Sequence, residues 1–197
     1  MESLSLAFSS GWASGINAYL VVLVLGITDR VGDVATIPDA LGRWDVLGIA
    51  AFLYAMEFVA DKIPYIDSTW DAVSTAIRPT VGAVIGVLIA GDADNLEQAV
   101  TGVVGGGTAL LSHSVKAGSR LAINTSPEPV TNVAASLTED LAVLGVVWFA
   151  IEHPRAAAGI AGVLLATGLV VLYLVAALVR RGWRRWKGRD PAPARGG

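Results

Sequence analysis

The sequence predicts an all-α membrane protein of six transmembrane helices, arranged as two inverted three-helix repeats whose first helices are interrupted by glycine. Three observations carry that fold class. Hydrophobic residues make up 54% of the 197-residue chain before its 22 glycines are counted, and mean hydropathy is +0.61, well above an ordinary soluble domain. Residues 156–179 contain no charged side chain, and roughly 20 apolar residues suffice to cross a hydrocarbon core about 30 Å thick. Finally, the two halves share an outline, developed below.

The first apolar run, Leu4 to Ile27, is long enough to cross, but Ser9, Ser10, Gly11, Ser14 and Gly15 sit inside it, followed by Asn17 and Tyr19. Small residues allow close helix packing, and paired glycines also allow a break; breaks are expected at Gly11 and Gly15. The N-terminus lacks the basic leader of a secretory signal and reads as a retained span. A polar loop, Thr28 to Trp44, follows with Pro38. The second run, Val46 to Val59, ends in Glu57, Asp61, Lys62 and Pro64, and Tyr54, Glu57 and Asp61 share a helical face. The third, Val81 to Ala90, is too short to cross alone, so the span either includes Trp70 to Ile77 or is broken near Pro79.

After the acidic loop at Asp92 and Asp94, an apolar run is expected to break at Gly105, Gly106 and Gly107 and leads into His113, Lys116, Arg120 and Asn124. At steps of three, four and four these polar residues fall on one helical face. Ser126-Pro127-Glu128-Pro129 ends that helix, because proline disfavours helical geometry in the residue before it. Leu141 to Ile151 is a short fifth run flanked by Glu139-Asp140 and by Glu152-His153-Pro154, and Ala156 to Val179 is the sixth.

The halves compare as follows. Each opens with a glycine-interrupted run, continues with a run ending in acid and proline (Asp61 and Pro64; Glu152 and Pro154) and closes with a small-residue helix. A repeat of three spans is odd, so a true second copy would enter from the opposite side, the architecture in which interrupted helices mark a binding site near the midplane; chance similarity of small-residue helices is the other reading. The expected organisation is residues 1–90 as the first half, 91–180 as the second, and 181–197 as a basic cytoplasmic tail.

Arg180, Arg181, Arg184, Arg185, Lys187 and Arg189 follow directly on the last span, as expected on the cytoplasmic side. Six crossings then put both termini in the cytoplasm, with Lys62, Arg78, Lys116 and Arg120 inside and Arg30, Arg43 and Arg155 outside. A net charge of −3, with the basic residues gathered behind a span, gives no nucleic-acid signature. The chain has no cysteine, so disulfides, thiolate metal sites and a cysteine nucleophile are excluded. Two distant histidines have no ligand spacing, so no metal is expected, and no cofactor is indicated. His153 is assigned no role.

An ionisable group at a helix centre in a bilayer costs at least about 2.5 to 3.5 kcal/mol, so such groups pair or line a wet cavity. Glu57 and Asp61 from the first half are the natural partners of Lys116 and Arg120 from the second. These residues snorkel to water, line a solute or proton path, or hold phospholipid head groups. His113 is either a hydrogen-bonding helix contact or a proton carrier. Gly11-Trp12-Ala13-Ser14-Gly15 resembles the serine motif of rhomboid-like proteases except at Ala13, where that motif has glycine; helix packing accounts for Ser14 better than a dyad with His113.

Gly15-Ile16-Asn17-Ala18-Tyr19, the run from Asp61 to Asp71, Ile77-Arg78-Pro79, His113 through Lys116, Arg120 and Asn124, and the Ser126 to Pro129 block together resemble the bacterial membrane family known as domain of unknown function 4126, over about residues 7 to 175. The resemblance implies bacterial origin and a membrane location, and supplies no catalytic residue. Ser74 departs from it, standing where several relatives have histidine.

The expected function is transport: an inner-membrane transporter or channel for a small solute or ion, its path lined by Asn17, Tyr19, Glu57, Asp61, His113, Lys116, Arg120 and Asn124. Handling of anionic lipid, or a scaffold without transport, are the alternatives. Expected partners are membrane lipids and the solute or ion, with a homo-oligomer compatible and nucleic acid excluded.

Overall fold

A computed structural model describes residues 1–32, 34–125 and 129–187. Ser126, Pro127 and Glu128, which were expected to end a helix, and residues 188–197 of the tail lie outside the described residues. Those described form six α-helices and one short 3-10 helix with no strand: α1 (Glu2–Gly32), the 3-10 turn (Asp39–Gly42), α2 (Trp44–Ala60), α3 (Ile66–Ala90), α4 (Asn95–Ile123), α5 (Pro129–Glu152) and α6 (Pro154–Lys187). Four of the helices, α1, α3, α5 and α6, are long and apolar enough to cross a membrane. The other two fall short for separate reasons. With 17 residues, α2 spans only about 25 Å at 1.5 Å per residue, whereas glycine, serine, threonine and charged residues dilute α4.

The expected helix count is met, but α1 is not a straight rod. Asn17 has φ −150° and ψ 92°, outside helical geometry, and the chain doubles back there. Leu6, in the first arm, packs with Ala150 and Ala157, and Asn17 reaches Asp140, so this arm runs antiparallel to α5. In the second arm, Leu20 to Thr28 lie along Leu141 to Trp148, in the same direction as α5. The loop at Ala35 to Asp39 consequently returns to the end of the bundle that holds Glu2, Gly91 and Glu152. A straight 31-residue helix would be about 46 Å long and could not bring its ends together.

The interruption expected in α1 falls at Asn17, two residues past Gly15, whereas no break falls at Gly105 to Gly107, and most of these glycines serve close packing. Helices α1 and α4 are continuous through Gly11, Gly15, Gly105, Gly106 and Gly107. A Cβ on Gly11 would meet Thr108 Oγ1 and the Gly105 carbonyl; one on Gly15 would meet Ser112 Oγ and the Ala109 carbonyl; one on Gly105 would meet the Gly82 carbonyl. A Cβ on Gly106 would sit 3.0 Å from Ala83 Cβ and 3.1 Å from the Pro79 carbonyl, whereas Gly107 faces open space. Small residues thus let α1, α3 and α4 approach closely enough for side-chain to backbone bonds such as Ser112 Oγ to the Trp12 carbonyl, 2.7 Å.

The two halves do not mirror each other. α1 folds back while α4 runs unbroken, and the first arm of α1 lies parallel to α4, with Gly11 beside Gly105 and Gly15 beside Ala109. The most extensive interface, α3 against α4, joins the two stretches at their boundary. α3 continues through Pro79 and absorbs Trp70 to Ile77, and α5 begins well before Leu141. α6 lies on the outside: only 6% of its apolar window is buried. It runs parallel to the first arm, with Arg155 3.5 Å from Glu2, so its C-terminal end lies at the opposite end of the bundle from the N-terminus.

Candidate functional site

Breaking a helix exposes carbonyls at the end of one arm and N–H groups at the start of the next. At the hairpin tip, both sets find partners. The Gly15 carbonyl accepts from Arg78 Nη1 at 3.4 Å and the Ile16 carbonyl from Lys116 Nζ at 3.0 Å, placing two cations at the negative end of the first arm. Asn17 caps the second arm, its Oδ1 accepting from the Leu20 amide at 3.0 Å while its Nδ2 donates to Asp140 Oδ1, also at 3.0 Å. Tyr19, two residues on, is buried.

The two cations tie the tip to a buried ionic cluster. Arg78 Nη2 donates to Glu57 Oε1 at 2.8 Å, and Nη1 lies 2.9 Å from Asp71 Oδ1. Lys116 Nζ reaches Asp61 Oδ2 at 2.6 Å and Glu57 Oε1 at 3.3 Å. Arg120 donates to Glu139 Oε2 at 2.6 Å, to the Asp61 carbonyl at 3.1 Å and to the Asn132 carbonyl at 3.3 Å. Glu57 and Asp61 therefore do meet Lys116 and Arg120, the latter 3.7 Å from Asp61 Oδ2. Toward the end of the cluster, Asp67 Oδ1 accepts from Asn124 Nδ2 at 2.8 Å and its Oδ2 from Asn132 Nδ2 at 3.4 Å.

Carboxylates outnumber cations in this cluster. Glu57, Asp61, Asp67, Asp71 and Asp140 are buried and Glu139 is largely so, whereas the buried cations are Arg78, Lys116 and Arg120. Lys62, at the edge, donates to the Phe58 carbonyl and to Ser136 instead of to a carboxylate. Asp67 and Asp140 have amide or hydroxyl partners and no cation within ion-pair distance among the described residues. Among the described residues, Glu57 Oε2, Asp61 Oδ1 and both oxygens of Asp71 are buried without a hydrogen bond, as are Ser14 Oγ and Ser74 Oγ. Uncompensated buried charge is expensive, so the surplus carboxylates need a proton or a bound cation to neutralise them.

His113 is held as a structural contact. Arg78 Nη1 donates to its Nδ1 at 2.8 Å; the ring must accept there, which leaves the proton on Nε2, 3.0 Å from Thr75 Oγ1. With both nitrogens engaged, the ring has no free atom with which to activate Ser14.

A family model, Domain of unknown function (DUF4126), matches residues 4–174. The chain belongs to that family. No curated protein and no solved structure matches it. In this DUF4126 chain, the cluster also includes residues outside the expected path: Asp67, Asp71 and Arg78 from α3, and Asn132, Glu139 and Asp140 from α5. A sequence signal existed for the first set, since Asp67, Asp71, Ser74 and Arg78 recur at helical spacing. Starting the fifth run at Leu141 leaves Glu139 and Asp140 flanking a helix that in fact contains them.

Proposed function

We propose that this protein is a multi-pass protein of the bacterial inner membrane that moves a small solute or ion through the cluster beneath the α1 hairpin. The observation that carries this reading is the excess of buried carboxylates over buried cations at the tip of a helix that enters the bundle and turns back. Helices broken within a membrane expose backbone groups that transporters use around a substrate, and intramembrane carboxylates mark ion or proton paths. The excess negative charge favours a cationic cargo, a proton included, and disfavours an anionic lipid head group inside the cluster.

Further support comes from the opposite end of the bundle. A cavity of about 770 Å³ there is bordered by Glu2, Asp39, Asp92 and Glu152, and clefts lined by one sign of charge concentrate counter-ions. Between this vestibule and the cluster stand the close contacts of Gly11 and Gly15 with α4, so the conformation is closed between the two, which suits a carrier better than an open channel. Glu2 and the start of α6 share one end of the bundle, and the basic end of α6 lies at the other, an arrangement that favours termini on opposite sides. With the basic end of α6 in the cytoplasm, this reading puts the cluster toward the cytoplasm and the N-terminus outside, an alternative to two cytoplasmic termini.

Purified protein in liposomes tests the proposal. Proton, sodium, potassium and alkylammonium gradients are imposed in turn, with internal dye or isotope readouts. Saturable flux of at least one cation, abolished in Asp61→Ala and Lys116→Ala, is expected. Flux unchanged by both substitutions, or none under any of these gradients, would refute it.

A further inference from the structure

One member of the cluster reaches the surface. Glu139 keeps 20% of its side chain exposed, against 0–4% for Glu57, Asp61, Lys116 and Arg120. Its Oε2 takes Arg120 at 2.6 Å and Lys116 at 3.6 Å, whereas Oε1 has no partner among the described residues. The opening is a pocket of about 120 Å³ between α1, α4, α5 and α6, bordered by Trp12, Ser119, Lys116, Glu139 and Leu165. Ser119 and Val115 also border a neighbouring groove of about 180 Å³ between α4 and α6, whose walls are otherwise apolar: Gly118, Ala122, Gly168, Val171, Leu172 and Val175. The two cavities adjoin at Val115 and Ser119; taken together as a slot with a carboxylate at one end and hydrocarbon along the other, their combined size reaches the lower limit of roughly 300 Å³ for small-molecule sites.

We propose that this slot binds a single-chain organic amine in its ammonium form, with the nitrogen on Glu139 Oε1 and the alkyl chain lying between α4 and α6. The charge of the head follows from the cluster: six carboxylates against three buried cations and Lys62 leave a surplus of acids that a bound cation neutralises and an anion does not. Trp12, the side-chain type whose ring attracts ammonium groups best, borders the inner pocket. The single chain follows from size, because a groove of about 180 Å³ holds one short alkyl chain and not two acyl tails. Contacts of Gly118 with Leu172 and of Gly168 with Val115 close the floor of the slot. This inference rests on the transport reading in that it names a cargo class; binding is measured at equilibrium, so a protein that binds the amine without moving it overturns transport alone.

The probe is radiolabelled n-decylammonium, titrated against protein in phosphatidylcholine nanodiscs with empty discs as background. Saturable binding is expected, weakened at least tenfold in Glu139→Gln and partly restored in Glu139→Asp. Ala122→Trp, which fills the groove from an exposed position away from the ionic cluster, should also weaken it at least tenfold, while decyl sulfate and decanol should not exceed background. Equal binding of decyl sulfate, or binding unchanged in both Glu139→Gln and Ala122→Trp, would overturn the proposal. Displacement of decylammonium when phosphatidylethanolamine replaces part of the phosphatidylcholine would overturn it too, assigning the slot to bilayer lipid.

Discussion

Replacing Arg78 by alanine should destabilise the bundle more than any other single truncation in the cluster. The guanidinium is fully buried and serves Glu57, Asp71, His113 and the Gly15 carbonyl. Its loss is not felt equally. Glu57 keeps Lys116 at 3.3 Å, and His113 keeps Thr75, but Asp71 is left without a side-chain partner among the described residues, where Arg78 is its only ion pair and neither of its oxygens has a hydrogen bond. Removing one side of a buried pair costs about 3–5 kcal/mol, and leaving a buried carbonyl without its donor adds about 1 kcal/mol or more. A loss of about 4–5 kcal/mol is therefore expected for Arg78→Ala, most of it traceable to Asp71. Adding Asp71→Asn to that background should recover about half, since it removes the stranded charge. Reversible unfolding in mixed micelles, run as a double-mutant cycle, measures both. A loss under about 1 kcal/mol, or no recovery on adding Asp71→Asn, would show that the cluster is not held by this pairing.

Three other outcomes are expected. Gly105→Ala should destabilise by about 1–3 kcal/mol through overpacking against the Gly82 carbonyl, whereas Gly107→Ala, in open space, should be neutral or stabilise by up to about 1 kcal/mol through helix propensity; equal effects in a thermal-unfolding assay would contradict the packing described. Asn17→Ala should cost about 0.5–2 kcal/mol for the lost cap, and Asn17→Asp should fail to restore it fully because it places a second carboxylate against Asp140, read by the same assay. The native chain has no cysteine, so single cysteines at Glu2, Val31 and Gly182 can be labelled with an impermeant maleimide without background. Glu2 and Val31 should react from one side and Gly182 from the other, and labelling of Glu2 and Val31 from opposite sides would mean that α1 crosses.

Apolar run lengths and prolines reveal the helices because those signals are local: Pro129 and Pro154 stand at helix starts, as proline at a first turn should. The stripe His113, Lys116, Arg120 and Asn124 is legible for the same reason, since one helix face is a matter of spacing alone, and opposite charge points to Glu57 and Asp61. The fold-back of α1 is different. Gly15 marks the neighbourhood of the break, but the full turn of the chain at Asn17 is sustained by tertiary contacts: Arg78 and Lys116 arrive from α3 and α4 to satisfy carbonyls 15 and 16. Glycines mislead for a related reason. Gly11, Gly15 and Gly105 could mark either flexibility or close approach, and only the position of the neighbouring backbone separates the two. Asp140 escapes notice because its partners are an amide and a hydroxyl, which no charge pattern flags.

The hairpin has a consequence for how the chain is made. Its first arm emerges from the ribosome before any of its neighbours, yet the groove that receives it belongs largely to α4, which ends at Ile123, and its tip is anchored by side chains from residues 78, 116 and 140. The opening segment therefore cannot make its final contacts until the chain through residue 140 has joined the bundle.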